Sequence, residues 1–522
     1  MDAYQYLNTF NNLADFLEDG FARYTHHPAF HCLGQTLTYS DIEQRSRHLA
    51  QWLQHQSGLQ AGDRIAIQLP NIIQYPIAAY AAIRAGLVVV NTNPLYTPRE
   101  MQHQFSDAGV KALIILEDLL PKYEAIRDQV PVENVLVTAA TDLLTNSAEA
   151  GHHYIALNAA IASGKEQPAL RPNTAGTDDI AVLQYTGGTT GVAKGACLTH
   201  GNILANAAQM SHRILQKGTP GEETFICPLP LYHIYAFTVN MMGLFYLGAQ
   251  NVLIPNPRDI EGFIKTLQAH RFTGFAGINT LFVGLCQHPE FRKLDFSALK
   301  ITFSGGAALT GKAFELWQSI TGCTITEGWG LTETSPVSTL NNFDCQQINS
   351  VGVPLINTVV EVWDENQRPL PQGEVGELVI KGPQVMQGYW QRPDETAKVL
   401  VNGFVKTGDL GLITPDGYIK IVDRLKDMII VSGFNVYPNE IEEVLCRHEH
   451  IVEAAVVGET DDKTGEAVHA HITTSARLDE AEIIAFCREH LTAYKIPKRI
   501  SVHQELPKST VGKILRRELR PA

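Results

Sequence analysis

The sequence lacks a long uninterrupted hydrophobic run. Its longest apolar stretch, residues 234–250, is broken by Thr238 and Asn240. Because a membrane span needs about 20 mostly apolar residues, this stretch predicts a buried helix instead. The amino terminus is neither basic nor followed by an apolar core, so no secretory signal is expected. We therefore expect a cytoplasmic protein, and the sequence leaves peripheral contact with the inner face of a membrane open.

Cysteine and basic residues are also in short supply. Eight cysteines are scattered through 522 residues without a C-x-x-C pair, which favours reduced thiols over a disulfide framework or a zinc site. Lys and Arg number 41 against 55 Asp and Glu, a net charge of −14. This acidic balance argues against a general nucleic-acid-binding protein, although it is compatible with a local basic pocket for ATP.

The order of apolar segments predicts the fold class. The length predicts two or more hydrophobic cores. Strand-like and helix-like segments alternate through about the first 420 residues, which predicts α/β layers with parallel strands. From Val351, short strands separated by Pro and Gly predict a small antiparallel, β-barrel-like subdomain. Beyond Gly433 a small α+β domain is expected, whose first helix has Asn439 as its candidate N-cap and Glu442 three residues later.

A Thr- and Gly-rich loop is the first candidate site. The stretch "LQYTGGTTGVAKGACLTHGN", residues 183–202, lies between an apolar strand and a helix-like segment. Its glycines allow close backbone approach, while the hydroxyls of Thr186, Thr189 and Thr190 can donate to anionic oxygens. Lys194 adds a positive charge. This combination predicts a polyphosphate site.

The loop is not a Walker A motif, which requires G-x-x-x-x-G-K-[ST]. Two residues separate Gly191 from Lys194 in this loop. A second partial match, "STVGKIL", has Ile514 where Ser or Thr should follow Lys513. A P-loop NTPase is therefore excluded.

Four further stretches, dense in Gly, Thr, Asp and Lys, follow the loop. They are "EGWGLTETSP" (327–336), "VKTGDLG" (405–411), "DRLKDMIIVSGFNVYPNEIE" (423–442) and "PKSTVGKILRREL" (507–519). Together with the loop, and in this order, they resemble the adenylate-forming (ANL) superfamily. The resemblance is greatest to bacterial long-chain fatty-acyl-CoA synthetases and covers essentially the whole chain, including "NPLYTPRE", "PLPLYHIYAF" and "GPQVMQGYWQRP".

The resemblance implies a ligase that works in two half-reactions. A fatty-acid carboxylate attacks the α-phosphate of ATP, giving acyl-AMP and pyrophosphate with Mg²⁺ as cofactor, and the thiol of coenzyme A then displaces AMP. It also implies an adenylation domain over residues 1–425 and a mobile C-terminal domain over 426–522, with the hinge near Lys426. The implied partners are the fatty acid, ATP and coenzyme A, and a homodimer is left open.

The resemblance also assigns residues to the nucleotide. These are Thr186, Gly187, Gly188, Thr189, Thr190, Lys194, Gly305, Gly306, Glu327, Gly328, Trp329, Thr332, Asp409, Arg424, Lys426 and Lys513. Among them the residues of the loop hold the β- and γ-phosphates, Trp329 stacks on adenine in a position where Tyr is commoner, and Asp409 accepts the ribose hydroxyls. Lys513 bridges the attacking carboxylate and the α-phosphate, for which a mobile ammonium is suited.

The remaining implied roles concern the metal, the acid and the thiol. Thr186 and Glu333 match metal positions, and oxygen ligands suit Mg²⁺. The implied catalytic set is Lys513, Lys194, Glu333, Thr332 and His233. His233 and Gly277 are implied to contact the acyl chain, with Gly277 leaving room for it. Ser432 and Gly433 are implied to border the coenzyme A channel after the C-terminal domain has rotated.

Three alternatives remain at this level. The first is a ligase for another carboxylic acid. The second is a fatty-acyl-AMP ligase that delivers to a carrier protein, disfavoured by the compact segment 351–378 before the hinge and by the absence of a fused carrier domain in the sequence. The third is a non-catalytic acyl or nucleotide sensor, disfavoured because Lys194, Glu333, Asp409 and Lys513 are all kept.

Overall fold

The computed structural model describes residues 3–7, 9–145, 154–186, 193–509 and 512–520. Its helices are α1 Ala3–Leu7, α2 Leu13–Arg23, α3 Tyr39–His55, α4 Gln74–Arg84, α5 Pro98–Ala108, α6 Leu120–Glu124, α7 Asp142–Thr145, α8 Leu157–Lys165, α9 His200–Ile214, α10 Ile234–Thr238, α11 Leu244–Tyr246, α12 Ile260–Gln268, α13 Asn279–Gln287, α14 Gly311–Thr321, α15 Pro393–Val399, α16 Pro438–Arg447 and α17 Glu480–His490.

The strands complete the set of elements. They are β1 Pro28–Cys32, β2 Gln35–Thr38, β3 Arg64–Gln68, β4 Val88–Asn91, β5 Val110–Leu116, β6 Asn134–Thr138, β7 Ile155–Ala156, β8 Ile180–Thr186, β9 Lys194–Thr199, β10 Thr224–Cys227, β11 Gln250–Leu253, β12 Gly274–Gly277, β13 Ile301–Ser304, β14 Ile325–Gly330, β15 Val337–Leu340, β16 Val353–Pro354, β17 Val359–Trp363, β18 Gly376–Lys381, β19 Gly388–Tyr389, β20 Leu400–Val401, β21 Phe404–Ile413, β22 Ile419–Arg424, β23 Ile429–Val431, β24 Phe434–Val436, β25 Ile451–Asp461, β26 Gly465–Thr474 and β27 Arg499–His503.

Two large sheets carry the first part of the chain. One has nine strands in the order β16-β15-β14-β13-β12-β10-β11-β1-β2, and the other has eight in the order β19-β9-β8-β4-β3-β5-β6-β7. The inner strands are parallel, as in the pairs β3 with β4 and β12 with β13. Helices cover the faces because the inner strands are apolar on both sides. The prediction of α/β layers with parallel strands is confirmed.

A smaller sheet follows, as the change of texture at Val351 predicted. Strands β17, β18, β21 and β20 pair in that order with β22 on the far side of β21, and every pairing is antiparallel. This subdomain has its own small core of aliphatic side chains, which includes Val360, Leu378 and Ile419. The subdomain contributes two residues to the candidate site: Asp409 on β21 and Arg424 on β22.

The last part of the chain forms a small α+β domain, also as predicted. Strands β24, β23, β26 and β25 pair in that order, with β27 parallel to β26. Helices α16 and α17 pack on one face of this sheet, and a separate core extends from Ile429 to Leu491. Alternation along β26 places Val468, Ala470 and Ile472 in that core.

The predicted start of α16 was wrong by two residues. The N-cap is Tyr437, without a side-chain cap bond, and Pro438 is the first helical residue. Proline is favoured there because its fixed φ suits the first turn and its missing N–H needs no partner. Asn439 therefore lies inside the helix, where its amide donates to the Val422 carbonyl over 3.2 Å and its backbone N–H donates to Asp423.

The apolar stretch 234–250 is buried, as predicted, and forms α10, a π-helical turn at Val239–Gly243 and α11. Its polar residue Asn240 is fully buried, where its amide donates to Asn251 over 3.0 Å. Within the described ranges, no helix combines the length and the apolar character needed to cross a bilayer.

Candidate active site

The two stems of the Thr/Gly loop are neighbouring antiparallel strands. Thr186 is the last residue of β8 and Lys194 the first of β9, and the two are cross-strand partners. The predicted loop residues Gly187, Gly188, Thr189 and Thr190 lie outside the described residues.

The helix-like segment expected after the loop is α9, but a strand comes before it. Residues 194–199 form a strand because they pair with β8 on one side and β19 on the other. Helix α9 begins only at His200, with Thr199 as its N-cap. A helix N-terminus therefore does not contribute to anion binding at this loop, and the charge of Lys194 matters more.

Lys194 faces two side chains from a distant part of the chain. Its ammonium group forms an ion pair with Glu395 at the start of α15, and it lies 5.3 Å from the centroid of the Tyr389 ring. Lys194 is 33% exposed and Glu395 37% exposed. Solvent screens such a pair, so an incoming phosphate can replace the carboxylate.

Glu333 lies on a 3₁₀ turn, Thr332–Thr334, that packs against β9. The hydroxyl of Tyr389 donates to Glu333 Oε1 over 2.6 Å. The Glu333 carbonyl accepts from the Met386 N–H over 2.8 Å. Burial, with the charges of Glu333 and Glu395, raises the pKa of Tyr389 far above its ordinary value, so its phenol remains a protonated donor.

The residues predicted to bind the metal carry oxygen donors of the kind that suit Mg²⁺. Thr186 would supply a hydroxyl and Glu333 a carboxylate, and the hydroxyl of Ser335, two residues beyond Glu333, is buried without a partner among the described residues. In the described ranges, no group of three or more His, Cys, Asp or Glu side chains could hold a metal ion alone. Mg²⁺ is usually bound by one or two carboxylates together with substrate phosphates, so this sparse ligand set is the appropriate one.

The predicted adenine and ribose residues are joined directly. The indole nitrogen of Trp329, on β14, donates to Asp409 Oδ2 over 2.8 Å. The other oxygen of Asp409 forms an ion pair with Arg424 Nε at 2.9 Å, because the two are cross-strand partners on β21 and β22. Asp409 is only 3% exposed. Since a carboxylate has about four acceptor sites, it can still accept the hydroxyls of a ribose.

The residues after β13 lie beside β14, since a Cβ at Gly305 would be 3.4 Å from the Gly328 carbonyl. Gly305 follows Ser304, whose buried hydroxyl lacks a partner among the described residues. A side chain at Gly305 would contact the Tyr235 ring at 3.4 Å, and Gly306 has a left-handed φ of +81°. At Gly328 a Cβ would lie 2.9 Å from the Thr339 carbonyl, so the paired strand β15 requires glycine there.

Glu327 has an unusual protonation state for a predicted nucleotide residue. Burial raises its pKa to about 8, against which a hydrogen bond from the Leu309 N–H acts weakly. That bond is 3.2 Å long and reaches Oε1. A carboxyl group with this pKa is mostly protonated at neutral pH, and in that form it can donate as well as accept.

Lys513, in the C-terminal domain, is influenced by the charges of Asp409 and Arg424. The preceding residue, Gly512, contacts α13: its carbonyl accepts from Thr280 Oγ1 over 3.4 Å, and a Cβ there would lie 2.4 Å from Ile278. Burial, Arg424 and other nearby charges lower the pKa of Lys513 to about 8, while Asp409 opposes this shift. The C-terminal lysine thus feels the charges of both residues predicted to hold the ribose.

A second basic residue, Arg516, joins the C-terminal domain to the end of strand β22. Its guanidinium donates to Glu442 Oε1 and Oε2 over 2.8 and 2.7 Å and to Asp423 Oδ1 over 3.2 Å. Asp423 ends the N-terminal part of the chain and is fully buried, which raises its pKa. The predicted hinge residue, Lys426, follows β22 by two residues; its carbonyl accepts from Arg520 over 3.3 Å, and partial burial lowers its pKa.

The residues predicted for coenzyme A lie elsewhere on the same domain. Ser432 and Gly433 form the turn of the β23–β24 hairpin, with φ values of +52° and +83°. Both are exposed. Beside them, the half-exposed ring of Phe434 stacks on Tyr494 at 4.7 Å. Among the described residues, the contacts found for this hairpin are with other parts of the C-terminal domain and not with the predicted nucleotide residues.

The predicted acyl residues have separate explanations. His233 is the N-cap of α10, where its Nδ1 accepts from the Tyr235 N–H over 3.2 Å, and burial lowers its pKa to about 4. At Gly277 a Cβ would lie 2.9 Å from the rings of Phe275 and Phe282. The space beside Gly277 is thus filled by aromatic rings and not left open, so the physical reason given for this residue was wrong. Its contact with an acyl chain stays a prediction.

Sequence reasoning missed three residues of the site: Tyr389, Glu395 and Arg516. Tyr389 belongs to "GPQVMQGYWQRP", which was recognised only as a matching stretch, and Glu395 lies two residues beyond it. The signal available was a Tyr, an Arg and two carboxylates in a Gly- and Pro-rich loop. Arg516 follows Lys513 by three residues and could have been paired with acidic residues near the hinge.

Comparison with known families agrees with this geometry. A family described as "AMP-binding enzyme" matches residues 17–390, and "AMP-binding enzyme C-terminal domain" matches residues 440–513. The chain belongs to the AMP-binding enzyme family. The resemblance to the adenylate-forming superfamily is confirmed, together with the division into a large N-terminal and a small C-terminal part.

Curated relatives within this AMP-binding enzyme family match nearly the full chain. The long-chain-fatty-acid–CoA ligase of Escherichia coli O6:H1 is 43% identical over 530 residues, covering 98% of this chain and 94% of the relative. The corresponding ligase of Bacillus subtilis is 39% identical, with coverages of 97% and 94%. A feruloyl-CoA synthase of Amycolatopsis is 33% identical over 93% of this chain and 94% of its own length.

Solved structures of the family share the whole fold. ATP-bound MatB from Rhodopseudomonas palustris superposes with a TM-score of 0.87 at 30% identity, covering 98% of both chains. The anthranilate CoA ligase AuaEII in complex with anthranoyl-AMP superposes with a TM-score of 0.91 over 98% of this chain and 96% of its own. At 24% identity the second likeness shows the fold alone.

Proposed function

We propose that this protein is an ATP-dependent fatty-acid:CoA ligase that forms an acyl-adenylate and then a thioester. The observation that carries the proposal is the joining of Trp329, Asp409 and Arg424 into one bonded unit, together with the contact of Gly512, the neighbour of Lys513, with Thr280 and Ile278 at the start of α13. A lysine from the second domain beside a ribose-type carboxylate suits a reaction at the α-phosphate. Membership of the AMP-binding enzyme family and the full-length match to fatty-acid ligases support it.

In the first half-reaction the chain must place a carboxylate against a polyanion. Lys194 and the Thr/Gly loop would hold the β- and γ-phosphates, and Thr186 and Glu333 would hold Mg²⁺. Bound Mg²⁺ would neutralise charge on the phosphates. Lys513 would donate to the acid and to an α-phosphate oxygen, so that the carboxylate oxygen attacks phosphorus and pyrophosphate leaves. Fixed donors at these places lower the barrier because they need no reorganisation.

His233 would orient the acid. Its Nδ1 accepts from a backbone N–H, and its low pKa keeps the ring neutral, so the remaining proton is on Nε2. An Nε2–H donor can bind one oxygen of a carboxylate without an added positive charge. This arrangement holds the acid while Lys513 supplies the charge.

In the second half-reaction the C-terminal domain would rotate near Lys426. Lys513 would leave the site, and the exposed hairpin with Ser432 and Gly433 would take its place beside the incoming thiol. Gly433 has a left-handed φ, which favours glycine, and apart from its chain neighbours no described atom lies within 4 Å of the point that a Cβ would occupy, so the hairpin is open to coenzyme A. The thiolate would attack the acyl carbon and expel AMP.

The preference for a long chain rests on the relatives. Fatty-acid ligases match at 39–43% identity over nearly the whole chain, whereas a feruloyl-CoA synthase matches at 33%. The higher identity favours a fatty acid over an aromatic acid as substrate. All three relatives are named for coenzyme A, which supports coenzyme A, rather than a carrier protein, as the acceptor of the acyl group.

The experiment that tests this function uses the purified protein with ATP, Mg²⁺ and a panel of acids from acetate to oleate. We expect pyrophosphate release with palmitate and the longer acids, and a palmitoyl thioester once coenzyme A is added. Pyrophosphate release that never leads to a coenzyme A thioester would favour the AMP ligase. Binding of ATP and acid without any release would favour the sensor.

A further inference from the structure

The segment of residues 386–392, which includes strand β19, connects both sides of the candidate phosphate site. Its Met386 N–H donates to the Glu333 carbonyl over 2.8 Å, and its Trp390 N–H donates to the Gly195 carbonyl over 2.8 Å. Strand β19 lies between these two bonds and pairs antiparallel with β9. The segment is therefore fixed to the turn that carries Glu333 and to the strand that begins with Lys194.

A single side chain of this segment contacts both candidate ligands. The Tyr389 hydroxyl donates to Glu333 Oε1 over 2.6 Å. The Lys194 ammonium lies 5.3 Å from the centroid of the same ring. An ammonium within about 6 Å of a ring is attracted by the electron density of its face, so one phenol sets the positions of an acidic and a basic group at once.

The hydroxyl bond leaves Glu333 prepared for a cation. A short O–H···O⁻ bond to an ionised carboxylate is among the stronger hydrogen bonds in proteins, and here it occupies only Oε1. Across the described residues, no hydrogen bond or ion pair is found for Oε2. Partners that orient a ligating carboxylate in this way also influence metal affinity.

We propose that Tyr389 is a positioning residue for metal-bound nucleotide: its hydroxyl aims Glu333 at the cation while its ring aims Lys194 at the phosphates. This rests on the proposed function, since Glu333 is the candidate metal ligand. Nothing in the proposed chemistry requires Tyr389 itself to touch substrate.

The segment does not depend on the Tyr389 hydroxyl for its own anchorage. The Trp390 indole donates to the Asp107 carbonyl over 3.1 Å, and Arg392 forms an ion pair with Asp107 at 2.7 Å. Asp107 also accepts from the Tyr185 hydroxyl over 2.6 Å. Removing one hydroxyl at Tyr389 should therefore leave strand β19 in place and change only the aim of Glu333.

The test compares Tyr389→Phe with a matched control, Tyr154→Phe. Tyr154 also donates its hydroxyl to a glutamate, Glu124. It precedes β7, which lies at the opposite edge of the eight-stranded sheet from β19. Both variants lose one phenol-to-carboxylate bond and keep the ring, so general effects on the fold should be alike.

Two readouts are compared. Mn²⁺ binding in the presence of a non-hydrolysable ATP analogue is followed by loss of the free-ion EPR signal, and pyrophosphate release is measured against Mg²⁺ concentration. For Tyr389→Phe we expect Mn²⁺ affinity to fall about tenfold and the half-saturating Mg²⁺ to rise about tenfold. Thioester formation from supplied acyl-AMP in EDTA should not change, and Tyr154→Phe should match the unaltered protein in every assay.

Mn²⁺ affinity in Tyr389→Phe equal to that of the unaltered protein would overturn the proposal and leave the proposed function standing. Equal losses in the metal-dependent and EDTA assays would also overturn it, because they indicate a general structural role. If Mn²⁺ binding weakens as expected but no acid yields acyl-AMP, the positioning role stands and the ligase function fails. If the unaltered protein binds no Mn²⁺ with the analogue, both fail.

Discussion

The indole nitrogen of Trp329 donates to the carboxylate of Asp409 over 2.8 Å. These residues are 80 positions apart and belong to different sheets, β14 and β21. The bond makes the candidate adenine platform and the candidate ribose acceptor one unit, which Arg424 completes from the other side. Tyrosine, commoner at this position in the family that the sequence resembles, would present its hydroxyl from a different point on the ring.

The first prediction tests this pair. Trp329→Phe keeps a flat ring but removes the N–H, so Asp409 keeps only Arg424. A hydrogen bond to a charged group contributes about 1.5–3 kcal/mol, and we expect the KM for ATP to rise about tenfold or more while the KM for the fatty acid changes little. Initial rates of pyrophosphate release at varied ATP measure this.

Its control is Trp363→Phe, which removes a similar indole-to-carboxylate bond, to Glu361 over 2.7 Å, on strand β17. That variant should keep the KM for ATP of the unaltered protein. An unchanged KM for ATP in Trp329→Phe would show that the bond from Trp329 to Asp409 does not contribute to nucleotide binding.

The second prediction concerns pH. The pKa of Lys513 is lowered to about 8, so its ammonium is present below that pH and is lost above it. If the ammonium bridges acid and phosphate, kcat/KM for ATP in the adenylation half-reaction should fall above about pH 8. This quantity reports the free enzyme, whereas kcat should fall at higher pH because bound phosphates favour the charged lysine.

Lys513→Arg is the matching variant because arginine stays charged throughout this range. Its adenylation rate should be lower, since a planar fork cannot replace a point charge, but without the alkaline decrease. If Lys513→Arg shows the alkaline decrease with the same midpoint, the decrease comes from the titration of another group.

The third prediction separates two functions of His233. In His233→Asn the side-chain oxygen can still cap α10, whereas the Nε2–H donor is lost. We expect thermal stability to remain and the KM for palmitate to rise about tenfold, as for loss of one bond to a charged acceptor. His233→Ala should show the same KM effect and lose about 1 kcal/mol of stability with the cap. A normal KM for palmitate in His233→Asn would remove His233 from the acid site.

The fourth prediction uses the raised pKa of Glu327, about 8. A carboxyl group that is neutral in the folded protein and ionised in the unfolded chain stabilises the fold fully only below the unfolded pKa. This contribution is lost as pH rises through the folded value. Glu327→Gln, which is always neutral, should therefore keep adenylation activity at pH 7 and unfold at a higher temperature than the unaltered protein at pH 9. A severe loss of activity at pH 7 would show that Glu327 acts as a carboxylate.

The sequence predicted the layers of the fold because its strands and helices are locally periodic. "DRIAIQL" and "LVVVNT" contain β3 and β4, and "TGKAFELWQSI" contains all of α14 except its last residue. Features that depend on distant pairing were not predicted. Residues 194–199 became a strand because β19, nearly 200 positions later, supplies hydrogen bonds on their second side.

For the site, too, the sequence predicted which residues take part but not how they contact one another. Motif order placed Lys194, Glu333, Asp409 and Lys513 on the chain, but not their contacts. The bonds Trp329–Asp409 and Tyr389–Glu333 and the ion pair Lys194–Glu395 each join segments that only the folded sheets bring together. Gly277 shows the opposite error, since its small size serves the packing of Phe275 and Phe282.

The most direct measurement uses Lys513→Ala in the two half-reactions separately. If one domain orientation serves adenylation and the other serves thioester formation, this variant should lose acyl-AMP formation from ATP and palmitate by at least about a hundredfold, the effect of removing one strong transition-state donor. It should still convert supplied palmitoyl-AMP and coenzyme A to the thioester at close to the normal rate. Equal loss of both half-reactions would contradict the division of labour between the two orientations.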